Sequence, residues 1–414
     1  MSGLLLLVRR SLSLHRLSTT ITAVAVALAC GLVLSVFAIA DQTKAAFSES
    51  DVGFDGVLGA RGSQLQLVLN TIYHLETSPG QVPWTMVQKL RDDPRVEFAI
   101  PFAGGDNYHG YRVVGTSEEF WTRLTFKGGK KHKLAVGRYF DGRNREAVVG
   151  SFVAQRLGLK INDRVQPYHG LTFDPTQKHP EVYVVVGILE PTKTPADRVI
   201  WIPLEGIWRM DGHVLRGAGE EYIPEPGVPI PDVHKEVSSV GVKLRDTLMG
   251  RGLEYDINKI GKKYTFAWPL QKSIGELLRK LFWFVEILRA VAFLVVAVAV
   301  GAIIAAIYNT MNERRGEFAI LRSLGASRTT VSWAIILEST TIAAIGAVLG
   351  FLVYAGILGA AAAVLRAQTG VVLDPFTPNP VLWMAPLGMV ALGAIAGIVP
   401  ALKAYATEVA ENLR

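Results

Sequence analysis

Cysteine is nearly absent from the chain: Cys30 is the only one in 414 residues, and it lies in an apolar run. An internal disulfide is therefore excluded, and so is a metal site built on several thiolates. The signatures of common catalysts are missing too. Gly129-Lys130 and Gly261-Lys262 have neither the upstream glycine nor the following Ser or Thr of a phosphate-binding loop, and neither H-E-x-x-H nor G-x-S-x-G occurs. These absences predict a chain that is not itself an enzyme and holds no cofactor, so any energy it uses comes from another subunit. The net charge of +7 is not gathered into a basic stripe with interleaved aromatics, which argues against nucleic acid as a partner.

Long apolar runs are what the chain has. Half of its residues are hydrophobic and the mean hydropathy is +0.29, a value between those of soluble and fully embedded proteins. Four stretches approach the roughly 20 apolar residues needed to cross a bilayer as helix: Ile21–Ala40, Val291–Tyr308, Thr341–Leu365 and Val381–Val399. Arg9, Arg10 and Arg16 precede the first, Arg314, Arg315, Arg322 and Arg328 separate the second from the third, and Lys403 follows the fourth. The loop Arg366–Pro380 has a single basic residue. The positive-inside rule then places both termini and the 311–333 segment in the cytoplasm, with residues 41–280 and 366–380 outside. Ala38-Ile39-Ala40 resembles a signal-peptidase site, but the preceding apolar run is longer than a signal peptide needs, and we expect the first span, 21–40, to be retained.

The external region is long enough for one large or two small domains. Alternation and β-branched residues predict strands at Gly53–Gly59, Arg112–Val114, Glu146–Val149, Glu181–Leu189 and Val237–Leu244. Helical spacing marks Gln64–Leu75, Val82–Arg91 and Ser151–Leu157, with Asp92-Asp93-Pro94 ending the second. This mixture predicts an α+β domain. Met210–Glu236 is rich in Pro, Gly and acids and reads as a solvated, flexible insertion that buries no core.

Between the second and third spans runs Asn312-Glu313-Arg314-Arg315-Gly316-Glu317-Phe318-Ala319-Ile320-Leu321-Arg322-Ser323-Leu324-Gly325-Ala326-Ser327-Arg328. Phe318, Leu321 and Leu324 form an apolar stripe, Glu313, Arg314, Arg315, Glu317 and Arg322 line the polar faces, Gly325 stops the helix and Ser327 caps the next. A connector with its own amphipathic helix predicts a docking element. The segment resembles the cytoplasmic coupling helix of ABC-transporter permeases of the MacB, LolC/LolE and FtsX type, nearly continuously from Glu313 to Ser327. Gly59–Leu69, Tyr111–Thr116, Gly137–Phe140, Val148–Ser151, Val185–Thr192 and Pro400–Ala404 are similar to one branch of the same permeases, so the resemblance spans essentially the whole chain.

The resemblance implies four transmembrane helices with an extracytoplasmic domain of MacB-core type in 41–280, and an FtsX-like permease domain in 281–414: helix 281–310, coupling segment 311–333, helices 334–365 and 381–400, and a tail at 401–414. It implies a multi-pass protein of the bacterial inner membrane, paired as a homodimer or heterodimer. Two separate ABC ATPase subunits would carry ATP and Mg, and a periplasmic adaptor or substrate protein is a further possible partner beside the membrane lipids. Motion driven by the ATPase would be passed to the external domains in export or extraction, of lipoproteins or hydrophobic molecules in one version. The alternative is an FtsX-like regulator of an external hydrolase or sensor.

Polar residues in or near the spans carry functional weight by default. Glu286 and Arg289 are spaced to pair at the outer end of the second span, and Glu338 in the third is expected to meet a basic group such as Arg322 or Arg328. Outside the membrane, His169, His179, His213 and His234 are the candidate ligands for a divalent ion, since imidazole with carboxylate suits zinc.

Overall fold

The computed structural model describes residues 2–48, 52–126, 128–313, 316, 320, 322–323, 325–369 and 379–406. The chain divides into a helical unit, Met1–Thr43 with Leu281–Val364 and Leu373–Arg414, and a sheet unit, Lys44–Lys280 with Leu365–Val372.

Among the described residues, four helices in the helical unit are long and apolar enough to cross a membrane, over Arg16–Thr43, Trp283–Glu313, Arg328–Leu365 and Val381–Leu402. Each extends past the apolar run expected from sequence, because helical hydrogen bonding continues into the polar flanks after the hydrocarbon-length core ends. Small residues set their contacts. Gly346 and Gly350 of the third span lie against Ala23, Val26, Ala27 and Cys30 of the first, and Gly393 and Gly397 of the fourth lie against Ser339 and Ala343 of the third. Both small-residue motifs are thus used inside one chain. Phe293, Leu294, Val348, Leu352, Trp383 and Leu387 remain exposed, an apolar outer surface suited to lipid.

The sheet unit contains strands β1 (Gly56–Ala60), β2 (Val82–Pro83), β3 (Val96–Tyr108), β4 (Tyr111–Thr116), β5 (Leu134–Gly137), β6 (Glu146–Val149), β7 (Arg164–Val165), β8 (Tyr168–His169), β9 (Tyr183–Leu189), β10 (Val199–Pro203), β11 (Glu236–Val237), β12 (Ser239–Leu244) and β13 (Tyr264–Ala267). Their order in the main sheet is β13-β1-β12-β3-β4-β10-β6-β9-β5, with β7 added to β9 and β8 to β3. Pairing is antiparallel except between β4 and β10 and between β6 and β9. Helices Trp84–Asp92 and Ser151–Leu157 cover it, and Leu58, Val113, Val149, Tyr183, Ile200 and Phe266 lie in one continuous core.

Seven strands escaped the sequence reading: β2, β3, β5, β7, β8, β10 and β13. Every residue of β10 is buried, so the strand reads as a continuous apolar run instead of an alternating one. Pro101, Gly104 and Gly105 disguise β3, the hub that pairs with β12, β4 and β8. β5 and β13 are only four residues long. The helix at Gln64 stops at Thr71, and Val82–Pro83 is a strand paired with Glu236–Val237.

The 210–236 segment corrects the expectation that it buries no core. Met210, Leu215 and Ile230 are buried in the main cluster, and Leu215 and Tyr222 exchange two backbone hydrogen bonds at 2.9 and 2.8 Å. The Arg209 guanidinium donates to the carbonyls of Glu225 at 2.7 Å and Val228 at 2.5 Å. A few apolar anchors and one arginine clamp thus organise a segment whose composition alone looks solvated.

Candidate functional site

Three of the four candidate histidines meet at one carboxylate. β3 carries a bulge where its register against β4 steps from Gly104↔Val114 to Asp106↔Val113, leaving Gly105 unopposed. A bulge of this kind re-aims the side chain beside it. Asp106 is then the register partner of His169 in β8. A hairpin returns the chain to His179, whose backbone N–H donates to the Pro167 carbonyl at 3.0 Å, and His213 follows the short helix Leu204–Trp208. Asn107 positions the hairpin: its Nδ2 donates to the carbonyls of Gly170 at 2.9 Å and Thr172 at 3.1 Å.

Asp106 Oδ1 lies 3.3 Å from His169 Nδ1, 3.2 Å from His179 Nε2 and 3.4 Å from His213 Nε2. The ring centroids form a nearly equilateral triangle with sides of 5.5, 5.6 and 5.3 Å. Asp106 is fully buried, while His169 is 56% exposed and gives the cluster an edge on solvent. Burial opposes the charged form of Asp106, but the three imidazoles outweigh it and hold the carboxyl well below the usual range. Asp106 in turn raises His169. It also raises His213, against the downward push of burial.

His234 is not part of the cluster. It stacks on Tyr222, with centroids 4.3 Å apart and planes 8° from parallel. His109, another histidine flanked by acids in sequence, packs among Tyr108, Tyr168 and Phe173. Sequence reasoning missed Asp106, though Gly104-Gly105 directly before it carried the signal: paired glycines inside a strand mark a bulge.

In the helical unit, Glu286 accepts from Arg289 at 2.6 Å, as their spacing allows, and Arg289 lies over the Phe37 ring at 4.9 Å. Glu338 accepts from the Ser11 hydroxyl at 2.5 Å, a partner the sequence did not reveal. Of the coupling segment, Arg314, Arg315, Glu317, Phe318, Leu321 and Leu324 lie outside the described residues. Glu313 closes the helix Leu270–Glu313 and pairs with His15 at 3.3 Å. Arg322 gives its carbonyl to the N–H of Gly325, which adopts φ +99, and Ser327 Oγ accepts from the Thr330 N–H at 3.2 Å. This is a glycine stop followed directly by a serine cap.

The family model of the MacB-like periplasmic core domain matches residues 19–247, more than half of the chain, and that of the FtsX-like permease C-terminal domain matches residues 289–409. The chain belongs to the MacB/FtsX family of ABC-type permeases. Two solved structures are similar to this permease. The periplasmic region of MacB from Actinobacillus actinomycetemcomitans is 10% identical, covering 55% of this chain and 94% of its own at a TM-score of 0.33. The extracellular domain of the noncanonic ABC-type transporter YknZ from Gram-positive bacteria is 13% identical, covering 51% and 98% at a TM-score of 0.29. As a member of this family, the permease is a membrane protein with four apolar helices and an α+β domain, and the family implies an ATPase partner and permease oligomerisation.

Proposed function

We propose that this permease is the membrane subunit of an ABC transporter that converts ATP hydrolysis by a separate ATPase into movement of its external domain. The observation that carries the reading is one continuous helix. Leu270–Glu313 begins three residues after β13 and runs 44 residues into the start of the coupling segment. At about 1.5 Å per residue it spans about 66 Å, roughly twice the hydrocarbon core. A helix of that length without proline is a stiff rod, suited to passing displacement at its cytoplasmic end to the sheet unit.

In this reading the protein resides in the bacterial inner membrane with both termini inside. Two permeases pair, as identical or different chains, over two ATPase subunits that bind ATP and Mg, and this chain carries no catalytic site. The segment Glu313–Ser327 is the docking surface, with Phe318, Leu321 and Leu324 facing the ATPase and Glu313, Arg314, Arg315, Glu317 and Arg322 around them. Replacing Leu321 by Asp puts a charge into that stripe and should cost about 2 kcal/mol or more of interface stability. The expected result is loss of ATPase co-purification and of stimulated hydrolysis, with normal insertion of the permease. An unchanged complex and rate would remove this helix from the interface.

A further inference from the structure

We infer that Asp106, His169, His179 and His213 bind one divalent cation of the zinc class, in a site separate from the coupling machinery. The directions of the hydrogen bonds carry the inference. His179 Nδ1 lies 3.0 Å from the Asp211 carbonyl, and His213 Nδ1 lies 3.0 Å from the Ile207 carbonyl. A carbonyl only accepts, so both rings carry their proton on Nδ1, and a neutral ring then has a bare lone pair on Nε2. Both lone pairs point at Asp106 Oδ1, which has only lone pairs of its own. With His179 and His213 both neutral, their lone pairs would therefore repel the carboxylate, while charging both rings beside one carboxylate would leave a surplus of positive charge at a fully buried group. A cation between the four atoms removes the conflict. An imidazole held through one N–H by a backbone carbonyl, with the other nitrogen facing a common centre, is how metal-binding histidines are oriented.

Distances and donor types agree with this. Four ligands at about 2.0–2.1 Å in a tetrahedron have edges of about 3.3–3.4 Å. The three edges from Asp106 Oδ1 measure 3.2, 3.3 and 3.4 Å and match, while the four ligand atoms as a set lie within 4.8 Å of one another, so the imidazole nitrogens draw together when the ion binds. Three imidazoles and one carboxylate suit zinc, whereas magnesium and calcium take oxygen ligands and copper(I) takes sulfur. Among the described residues, buried His213 Nε2 and Asp106 Oδ2 have no hydrogen-bond partner, so the cluster is not satisfied by these residues alone. An open cleft with about 670 Å³ of empty space is lined by His169, Gly212, His213 and Glu236 and gives an ion a route in.

Four protein ligands fill a tetrahedral zinc and leave no position for an activated water, so the site holds or senses metal and does not catalyse. It would join three segments: the end of β3, the hairpin bearing His169 and His179, and the start of the 210–236 segment at His213. Loading should stiffen this part of the sheet unit.

The test uses the full chain in detergent, stripped with a chelator and titrated with zinc chloride by calorimetry. The expected result is one zinc per chain at micromolar or tighter affinity, with a raised melting temperature. His169→Ala/His179→Ala should lose that binding, while His234→Ala and His109→Ala keep it. Absence of binding in the wild type, or equal affinity and stoichiometry in the double variant, would overturn the site. Should the double variant fail to fold, cobalt(II) loading of the wild type decides: strong visible bands of a four-coordinate ion support the inference, and the weak bands of a six-coordinate ion, or none, refute it.

Discussion

The Ser11 hydroxyl donates to Glu338 Oε1 at 2.5 Å, joining positions 327 residues apart in sequence. Ser11 is 1% exposed and Glu338 is 7% exposed, so water does not substitute for the lost donor if either changes. Hydrogen bonds to charged groups contribute about 1.5–3 kcal/mol. Ser11→Ala should therefore lower the melting temperature of the purified permease, and Ser11→Thr, which keeps a hydroxyl, should restore most of it. Equal melting of the alanine variant and the wild type would show that this bond contributes nothing.

Close helix contacts yield a second expectation. A Cβ added at Gly346 would come within 2.6 Å of Val26 Cβ and 2.8 Å of the Ala23 carbonyl, whereas one added at Gly359, on the same helix, meets nothing within 4 Å among the described residues. Gly346→Ala must push the first and third spans apart, at a cost of about 1–3 kcal/mol. Gly359→Ala should be neutral or slightly stabilising, because alanine favours helix by up to about 1 kcal/mol over glycine. Thermal melting of the two variants side by side checks this; destabilisation of both by the same amount would mean that the contact at Gly346 is not what matters.

The membrane helices were legible because their signal is length and apolarity, which survive any tertiary arrangement. Ser151–Leu157 was legible because Gly158 ends it at φ +70. β10 was not, since burial on both faces erased the alternation that marks a strand. The cluster was half legible. Residue type singled out His169, His179 and His213, but Asp106 joined them only through a bulge in a strand that sequence had not shown, and His234 was lost to stacking on Tyr222. Glu338 could not be matched to Ser11 from sequence, because the pairing depends on how two distant helices pack.

Acid should destabilise the sheet unit through His132. Its ring packs against Phe120, Trp121 and Phe126, neither nitrogen has a hydrogen-bond partner among the described residues, and burial lowers its pKa from 6.5 to about 4. The folded value lies below the unfolded one, so the unfolded chain takes up the proton first. Stability is full above about pH 6.5 and is lost as pH falls toward 4, by on the order of 3 kcal/mol. His169 and His213 are raised and act with the opposite sign, so the measurement is a comparison. His132→Leu should lose less stability than the wild type between pH 7 and pH 4.5 in tryptophan-fluorescence melts. Parallel pH profiles would show that His132 is not the titrating group.

The topology on which the proposed mechanism rests is an expectation from charge. Arg9, Arg10 and Arg16 flank the first span, and Arg314, Arg315, Arg322 and Arg328 crowd the connection between the second and third, while residues 366–380 carry one basic residue. Because this bias counts over short loops and not over long translocated domains, the basic residues of the sheet unit do not oppose an outside location. Single cysteines placed in a Cys30→Ala background give the readout. A membrane-impermeant maleimide should label Glu220→Cys and Val372→Cys in intact cells, and Ser323→Cys and Ala410→Cys only after the membrane is opened. Labelling of position 323 in intact cells would put the coupling segment on the wrong side for a cytoplasmic ATPase, and protection of position 372 would break the hairpin formed by the third and fourth spans.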